Sequence, residues 1–514
     1  MQPDVNKYDQ AFYGHPKPLR GLFFTELWER FSFYGIRPLL ILYMSAMTIN
    51  GGLGLDLPTA SAIVGLFAGS MYLMTVFGGW VADNWLGQAR AVWYGSIIMA
   101  LGHLSIALTA FSSNFFFYFG LVLIVLGSGL FKTCISVIVG TLYEAKDSRR
   151  DAGFSIFYMG INLGSFVAPL ITGFLIKDYG WHLGFGVGGL GMLIALVIFR
   201  SIAVPEITEF STVKTIDNSW KQATNQNRHA PKIVMGFLAI CAAVIALTAT
   251  GIIIINPVEI VTYLTVIICI TIIGYFAYLL LFSKTTVKEK QKLVICFILL
   301  IIAALFWSAF EQSATSLNLF ANDFTNKYVF GYEVPAVWFQ SINPLFVIIF
   351  APIMAWLWVK LGKANKDPSY ISKFIIALVL AASGFGLMAL ASYSVISSGG
   401  ALVSPWWLIS TFLLLTLGEL CLSPVGLSTM TKLAPSVIRG QVMGLWFTAS
   451  ALGNLMAGLI GGHVSQDSLQ DLPTLFIRCV VALMIGAIVL LIIKKPILKL
   501  ISDSDDKTKL TETL

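Results

Sequence analysis

Fourteen long apolar stretches constrain this chain more than any other feature of its sequence. Each is close to the roughly 20 residues that an α-helix needs to cross the hydrocarbon core of a bilayer. They lie near residues 20–46, 59–83, 90–111, 115–143, 152–175, 182–202, 232–254, 257–282, 292–321, 335–360, 371–396, 405–430, 438–463 and 473–498. Only 11% of the residues are charged, whereas soluble domains average about 25%. The sequence therefore predicts an all-α, multi-pass membrane protein with fourteen transmembrane helices.

The loops between these stretches alternate in their content of lysine and arginine. Basic residues are concentrated before the first stretch and at 144–151, 203–232, 283–292 and 360–367. The loops without lysine or arginine are 47–58, 112–114, 255–256, 397–404 and 464–472. Because basic loops remain on the cytoplasmic side, both termini are predicted to be cytoplasmic, in a plasma membrane. The net charge of +7 is then an orientation signal and does not indicate a nucleic-acid partner.

The spacing of the stretches divides the chain into two groups of six helices. The predicted segments are a cytoplasmic N-terminus (1–19), an N-terminal six-helix bundle (20–202), a cytoplasmic linker (203–231), two additional transmembrane helices (232–282), a C-terminal six-helix bundle (283–500) and a cytoplasmic tail (501–514). Two such bundles around a central site are the architecture of many secondary transporters. The additional pair has few polar residues, so we expect it to be peripheral.

The first apolar stretch contains ELWERFSFYGIR at 26–37, with two glutamates and two arginines. At 100° per residue, one narrow helix face carries Glu26, Arg30, Tyr34 and Arg37. Arg30 lies about ten residues inside the predicted boundary, or roughly 15 Å deep. A charge at mid-bilayer costs about 2.5–3.5 kcal/mol on insertion scales, so such residues usually pair and face a cavity. The first helix is therefore predicted to line a polar, water-accessible cavity.

Three further charges lie deep in other stretches. They are Lys132 in the fourth, Glu311 in the ninth and Glu419 in the twelfth. With Glu29 included, four carboxylates stand against three cations, so one carboxylate lacks a dedicated cation when all are ionised. Such a group is a candidate proton carrier. Snorkelling of basic side chains explains one charge near an interface, but not several at depth.

Motifs of membrane enzymes and ATP-driven pumps are missing from the sequence. It has no HExxH, no Walker motif and no GxSxG in a cavity-facing position, which are signatures of metal, nucleotide and acyl-transfer chemistry. His103 and His463 stand alone, without metal-ligand spacing, and the six cysteines lie in apolar stretches typical of core residues. We therefore expect no enzyme activity, no metal and no cofactor other than a coupling proton.

These residues occur in motifs that resemble those of the proton-dependent oligopeptide transporter family, a branch of the major facilitator superfamily. ELWERFSFYG at 26–35 resembles the family's ExxERFxYY signature, and FSIFYMGINLGS at 154–165 resembles its fifth-helix signature. GLFK at 129–132 matches the fourth-helix lysine motif, and GGWVADNWLG at 78–87 resembles the superfamily's loop after the second helix. The resemblance implies the major facilitator fold. It also implies proton-coupled import of di- and tripeptides by a monomer in contact with membrane lipid.

The resemblance also implies roles for individual residues. Cations of the first bundle would receive a peptide's carboxylate, and Glu419 would receive its ammonium. The residues implied in proton coupling are Glu26, Glu29, Arg30, Lys132 and Glu311. The residues implied in substrate binding are Arg30, Tyr34, Arg37, Tyr72, Lys132, Asn162, Trp307, Phe310, Asn343, Glu419, Ser423 and Trp446. A zwitterionic dipeptide suits such a clamp because its charges lie about 5–6 Å apart, and aromatic walls accept many side chains.

Several of these residues also have structural explanations. Tyr72 and Phe310 fit equally well as ordinary core aromatics. Asn162 in an apolar helix could serve only to bond neighbouring helices. Asn343 could satisfy carbonyl groups that Pro344 leaves without a donor.

Two departures from the family pattern affect the expected site, and one alternative function stays open. Phe33 replaces the signature's first tyrosine, which removes a hydroxyl near the cations. Gly65 stands where animal members carry a second-helix histidine, so coupling is expected to depend on carboxylates. The alternative is transport of another small solute, such as nitrate, a glycoside or a peptide-like compound. The intact ExxER motif favours protons and peptides.

Overall fold

The structure is a computed structural model. It describes residues 8–109, 113–144, 147–216, 220–282, 286–329, 331–434, 439–462, 464 and 469–511. Residues 1–7, 145–146 and 283–285, which carry part of the predicted orientation signal, and His463 lie outside these ranges.

The described chain is almost entirely helical, as predicted. Its α-helices are α1 (Pro18–Ser45), α2 (Leu57–Val81), α3 (Gln88–Leu108), α4 (Phe115–Thr141), α5 (Arg150–Tyr179), α6 (Trp181–Ile198), α7 (Val204–Val213), α8 (Ala230–Ala249), α9 (Pro257–Phe282), α10 (Val287–Phe310), α11 (Ser316–Asp323), α12 (Ile342–Lys363), α13 (Tyr370–Ser397), α14 (Trp406–Leu433), α15 (Arg439–Gly461) and α16 (Leu472–Thr511). Short 3₁₀ segments lie at Thr48–Asn50, Glu311–Ala314, Ala336–Ser341 and Leu469–Asp471, and π-helical turns at Ala82–Leu86 and Phe199–Ala203. Strands β1 (Tyr328–Val329) and β2 (Tyr332–Glu333) pair antiparallel.

Fourteen of the described helices have at least 18 residues, and each coincides with one predicted stretch. Thirteen helical segments are also apolar enough to cross a membrane. The helix outside this set is α1, whose apolar part includes Glu29, Arg30 and Arg37. The prediction of fourteen long helices is confirmed, and the charges that marked α1 in the sequence are what lower its hydropathy.

Local signals set several helix ends. Thr286 and Glu289 form a capping box at the start of α10, in which each side chain accepts from the other's backbone N–H, an arrangement that satisfies two orphan donors. Gly180, at φ 87°, separates α5 from α6 in a conformation that favours glycine. The predicted stretch 292–321 is interrupted, because α10 ends at Phe310 and α11 begins only at Ser316.

The first compact unit comprises the described parts of residues 1–55 and 70–256. Within it, α1 packs along α5 and α6, and α3 packs along α4. Glycines permit the close approach: a Cβ on Gly191 of α6 would lie 2.7 Å from the Phe31 ring, and one on Gly164 of α5 would collide with the carbonyl oxygen of Leu27. The first helix is therefore held by two neighbours at backbone distance.

At one end of the first unit, ion pairs and hydrogen bonds form a polar network around Arg149. Its guanidinium pairs with Asp9 and Asp147, each at 2.8 Å. Hydrogen bonds from the Arg149 side chain and backbone hold the pKa of Asp147 at about 2. The imidazole of His15 is hydrogen-bonded to the Tyr143 hydroxyl at 2.9 Å. Further ion pairs here are Lys17–Glu209, Arg20–Glu206 and Lys214–Asp9.

The second compact unit comprises the described parts of residues 56–69 and 257–514. Its helix α13 packs along both α14 and α16, whereas α10 packs mainly along α15 and less along α16. Its largest fully buried side chains are Phe306, Phe320, Phe374, Phe385, Phe412 and Phe476. Helix α16 runs to Thr511, well beyond the predicted membrane span.

The two additional helices fall into different units, α8 into the first and α9 into the second. Helix α8 buries only Ala230 and Val234. Helix α9 buries one stripe, formed by Val261, Ile268, Ile272, Phe276 and Leu279. Apolar side chains that remain exposed on both helices suit contact with lipid.

Candidate substrate and proton site

In the first unit, the ExxER residues form one buried charge cluster on α1. The Arg30 Nε lies 2.6 Å from Glu26 Oε1 and 3.0 Å from Glu29 Oε2. Glu26 and Glu29 are each 1% exposed and Arg30 is 8% exposed. A single guanidinium therefore neutralises part of two buried carboxylates. The predicted common face of α1 is confirmed for Glu26 and Arg30, which form an i, i+4 ion pair.

Two further cations of the first unit lie against aromatic rings. The Lys132 Nζ is 4.6 Å from the Phe33 ring centroid and 5.3 Å from that of Tyr72, and the Arg37 guanidinium carbon is 5.9 Å from the Phe33 ring. Such distances are those of cation–π contacts. Across the described ranges, Lys132 forms no ion pair with a carboxylate. In this conformation both glutamates thus pair with Arg30, and the Lys132 ammonium contacts the rings of Phe33 and Tyr72.

In the second unit, the candidate site is acidic. Asn343 at the start of α12 donates through Nδ2 to Thr416 Oγ1 at 2.9 Å and to Glu419 Oε2 at 3.2 Å. No ion pair joins Glu419 to a lysine or arginine within the part of the chain that the structure describes. Glu311 is 5% exposed, in the 3₁₀ segment after α10, and lies within electrostatic range of Glu419. This unit therefore gathers two carboxylates with a neutral donor.

Aromatic candidates of both units lie close to these charged groups in the sequence. Tyr34, half-buried, stands edge-to-face with Phe33 at 5.0 Å. In the second unit, the rings of Trp307 and Phe310 meet edge-to-face at 5.3 Å. Half-buried Ser423 follows Glu419 by one turn of α14.

Trp446 is 6% exposed. Its ring centroid lies 6.3 Å from that of Phe374, and a Cβ on Gly426 would collide with the indole. This packing gives Trp446 a core role in addition to any contact with substrate.

The structure bears on the alternatives left by the sequence. Tyr72 faces an ammonium group, which ordinary core aromatics do not, whereas Phe310 also stacks on Phe306 at 5.8 Å. Asn162 donates to the Tyr158 carbonyl of its own helix at 3.0 Å, so this bond does not join two helices. The Asn343 amide donates to side chains and not to a carbonyl group freed by Pro344.

Sequence analysis did not identify the contacts of three polar or aromatic residues on or beside α1 and α14. Phe33 was identified only as a lost hydroxyl, although its ring faces two cations. Thr416 lies three residues before Glu419 on α14, and this spacing could have identified it. His103 was given no role, yet its Nε2 lies 2.6 Å from the Ser32 hydroxyl in a buried contact on α1.

Comparison with known proteins places this geometry in a family of membrane transporters. The sequence profile of the POT family matches residues 89–475. The chain belongs to the POT family, and it is accordingly a multi-pass membrane transporter and not an enzyme. It is 58% identical over 495 residues to the peptide transporter YePEPT of Yersinia enterocolitica, covering 96% of this chain and 97% of the relative. It is also 36% identical to a di-/tripeptide transporter of Lactococcus lactis subsp. cremoris, with 97% and 99% coverage.

A solved structure supports the fold independently. A crystal structure of a peptide transporter POT variant in complex with alafosfalin superposes with a TM-score of 0.86 at 37% identity, covering 96% of this chain and 98% of that one. The prediction of a major facilitator fold is confirmed.

Proposed function

We propose that this chain is a proton-coupled symporter that imports di- and tripeptides across the bacterial inner membrane, with both termini in the cytoplasm. The observation that carries the proposal is the unequal division of charge. The first unit holds Lys132, which has rings and no carboxylate as partners. The second unit holds Glu419, whose donor is the neutral amide of Asn343. A molecule with a carboxylate at one end and an ammonium at the other complements both.

Each end of the peptide has a proposed partner. The carboxylate pairs with Lys132 and Arg37. An anion offers Lys132 a charge-assisted bond that its aromatic partners cannot. The ammonium pairs with Glu419, beside the Asn343 amide. Tyr34, Trp307 and Phe310 accept peptide side chains through apolar contact with little discrimination.

Coupling is proposed to reside in the carboxylates. Glu311 is the proposed proton carrier, since it is buried and shares its surroundings with Glu419. Glu26 and Glu29 are rivals because both depend on Arg30. A peptide carboxylate that attracts Arg30 would weaken that pairing and favour protonation of one of the two glutamates.

The direct test of the function is uptake into proteoliposomes. The purified chain should accumulate labelled dialanine when the exterior is made acidic, and a protonophore should abolish accumulation without abolishing peptide exchange. Nitrate and a small glycoside serve as competing substrates. Accumulation of one of these without dialanine would support the alternative of a different solute, and gradient-independent dialanine uptake would refute symport.

The coupling residue is identified by comparing three variants. Glu311→Gln imitates a permanently protonated carboxyl group, so exchange of peptide for peptide should persist while gradient-driven uptake collapses. Glu26→Gln and Glu29→Gln are measured in parallel. Full accumulation by Glu311→Gln, with collapse in either of the other two, would move the coupling site to α1.

A further inference from the structure

The second unit contains a cavity that the transport site does not use. It has a volume of about 560 Å³ and lies between α10, α15 and α16. Its apolar wall includes Leu305, Ala309, Met456, Leu459 and Ala482, and polar groups enter from Asp471, Thr474 and Arg478. The cavity follows the first third of α16, as far as Leu483.

Helix α16 differs in glycine content from a closely packed helix of the first unit. Helix α6 of the first unit contains five glycines in 18 residues and packs closely along α1. Helix α16 contains only Gly486, whose Cβ position faces Leu305 and Ile302 of α10. Small residues permit close helix approach in a membrane protein. The part of α16 that precedes Gly486 contains no glycine, and the groove lies along this part.

Three polar residues of the groove form one stripe at the start of α16 and in the 3₁₀ segment before it. Asp471, Thr474 and Arg478 are spaced i, i+3 and i+7, so they share a helix face. Arg478 is exposed and lies six residues into the span Leu472–Leu498, about 9 Å along the axis. Neither Asp471 nor Arg478 forms a hydrogen bond or ion pair with another residue in the described ranges. An anionic group in the groove would give Arg478 a charge partner within the span, and a cationic group would give one to Asp471 at its edge.

We propose that this groove binds one molecule of phosphatidylethanolamine. Its phosphate pairs with the Arg478 guanidinium, its primary ammonium pairs with the Asp471 carboxylate, and an acyl chain packs on the apolar wall. Charge complementarity selects this lipid. Phosphatidylglycerol offers the phosphate without the ammonium, and phosphatidylcholine shields its nitrogen with methyl groups that cannot donate to a carboxylate.

Native mass spectrometry of the purified full-length chain tests the proposal. Delipidated protein is mixed with equal amounts of the three lipids carrying identical acyl chains. One phosphatidylethanolamine should be retained, with at least a several-fold preference. Arg478→Gln should lower its retention about ten-fold, since a charge-assisted hydrogen bond is lost. Asp471→Asn should retain phosphate binding but remove the preference over phosphatidylglycerol.

A matched control separates a specific site from general lipid contact. Arg200 is an exposed arginine at the end of α6 in the first unit, and Arg200→Gln should leave retention unchanged. Equal losses in Arg200→Gln and Arg478→Gln, or equal retention of all three lipids by the unmodified chain, would overturn the proposal. Ala482→Phe keeps every charge and fills the apolar wall, so it should also release the lipid. Undiminished retention by this variant would overturn the groove as the site even if Arg478→Gln failed to fold.

Discussion

The two compact units bury their charges in opposite ways. In the first unit, one guanidinium pairs with two carboxylates within about one helical turn and neutralises part of their charge. In the second unit, Glu419 is held by an amide, with a second carboxylate nearby. The two clusters should therefore respond differently to the loss of one member. Removal of Arg30 leaves two buried carboxylates without their cation. Replacement of Glu419 by glutamine leaves an amide oxygen that can still accept a hydrogen bond from Asn343.

The largest expected effect is on the stability of Arg30→Gln. Breaking a buried ion pair by removing one partner costs about 3–5 kcal/mol, and here two carboxylates lose their partner. The thermal unfolding midpoint of the purified protein should fall strongly, and peptide uptake should be lost. Glu419→Gln is the matched control and should unfold close to the unmodified chain, because its amide oxygen can still accept from Asn343. Equal midpoints for the two variants would contradict the comparison.

Glu419→Gln should instead act on substrate recognition. If Glu419 receives the ammonium, affinity for a zwitterionic dipeptide should fall by about 1.5–3 kcal/mol, the value of a hydrogen bond to a charged group. Affinity for the N-acetylated dipeptide should change little, since that ligand has no ammonium. Isothermal titration of both ligands checks this. The role of Glu419 would be excluded by equal losses for the two.

A pair of glycine substitutions tests the difference in helix packing. Gly164→Ala places a methyl group against the Leu27 carbonyl of α1, which cannot yield without moving the helix. The expected cost is about 1–3 kcal/mol of unfolding free energy. Gly486→Ala meets the end of the flexible Leu305 side chain at 2.8 Å and should cost less. Identical losses in thermal stability would show that α1 and α16 are held equally tightly.

The smallest expected effect concerns pH and the network at one end of the first unit. Burial, with the nearby charge of Arg149, lowers the pKa of His15. The folded chain then binds fewer protons than the unfolded chain, so this contribution is complete above about pH 6.5 and is lost as pH falls through that value towards the lower folded pKa. His15→Gln should therefore flatten the decline in unfolding midpoint between pH 7 and pH 5.

Tyr143→Phe provides the control for this pH dependence. It removes the hydroxyl that bonds His15 and should cost about 1 kcal/mol at every pH, while the titrating imidazole remains. A parallel decline in all three proteins would show that another group is responsible.

The sequence predicted the helices well because hydropathy acts locally. It also predicted that the ExxER charges must pair, since the cost of burying a charge requires it. It did not predict which cation would do so. The choice of Arg30 over Lys132 depends on where α4 places its lysine, against Phe33 and Tyr72, and this is a tertiary property. The groove beside α16 was also hidden, because its lining comes from three helices whose neighbours the sequence does not give.

The interruption after α10 was hidden for a different reason. No proline or glycine lies between Phe310 and Ser316. The break accompanies side-chain hydrogen bonds in which Gln312 Oε1 accepts from the hydroxyl groups of Thr315 and Ser316. Such local bonds compete with the backbone ladder of a helix, but the residue types alone do not decide which arrangement prevails.

That interruption has a mechanical consequence. An unbroken α-helix resists bending because every turn is tied to the next by its ladder of hydrogen bonds. At Thr315, with φ −117° and ψ −93°, the backbone leaves helical geometry, and the regular series of helical hydrogen bonds is interrupted. The interruption therefore lies within four residues of Glu311. If Glu311 gains or loses a proton during transport, as proposed, the change in charge occurs beside a joint in the backbone between α10 and α11, and not within a continuous helix.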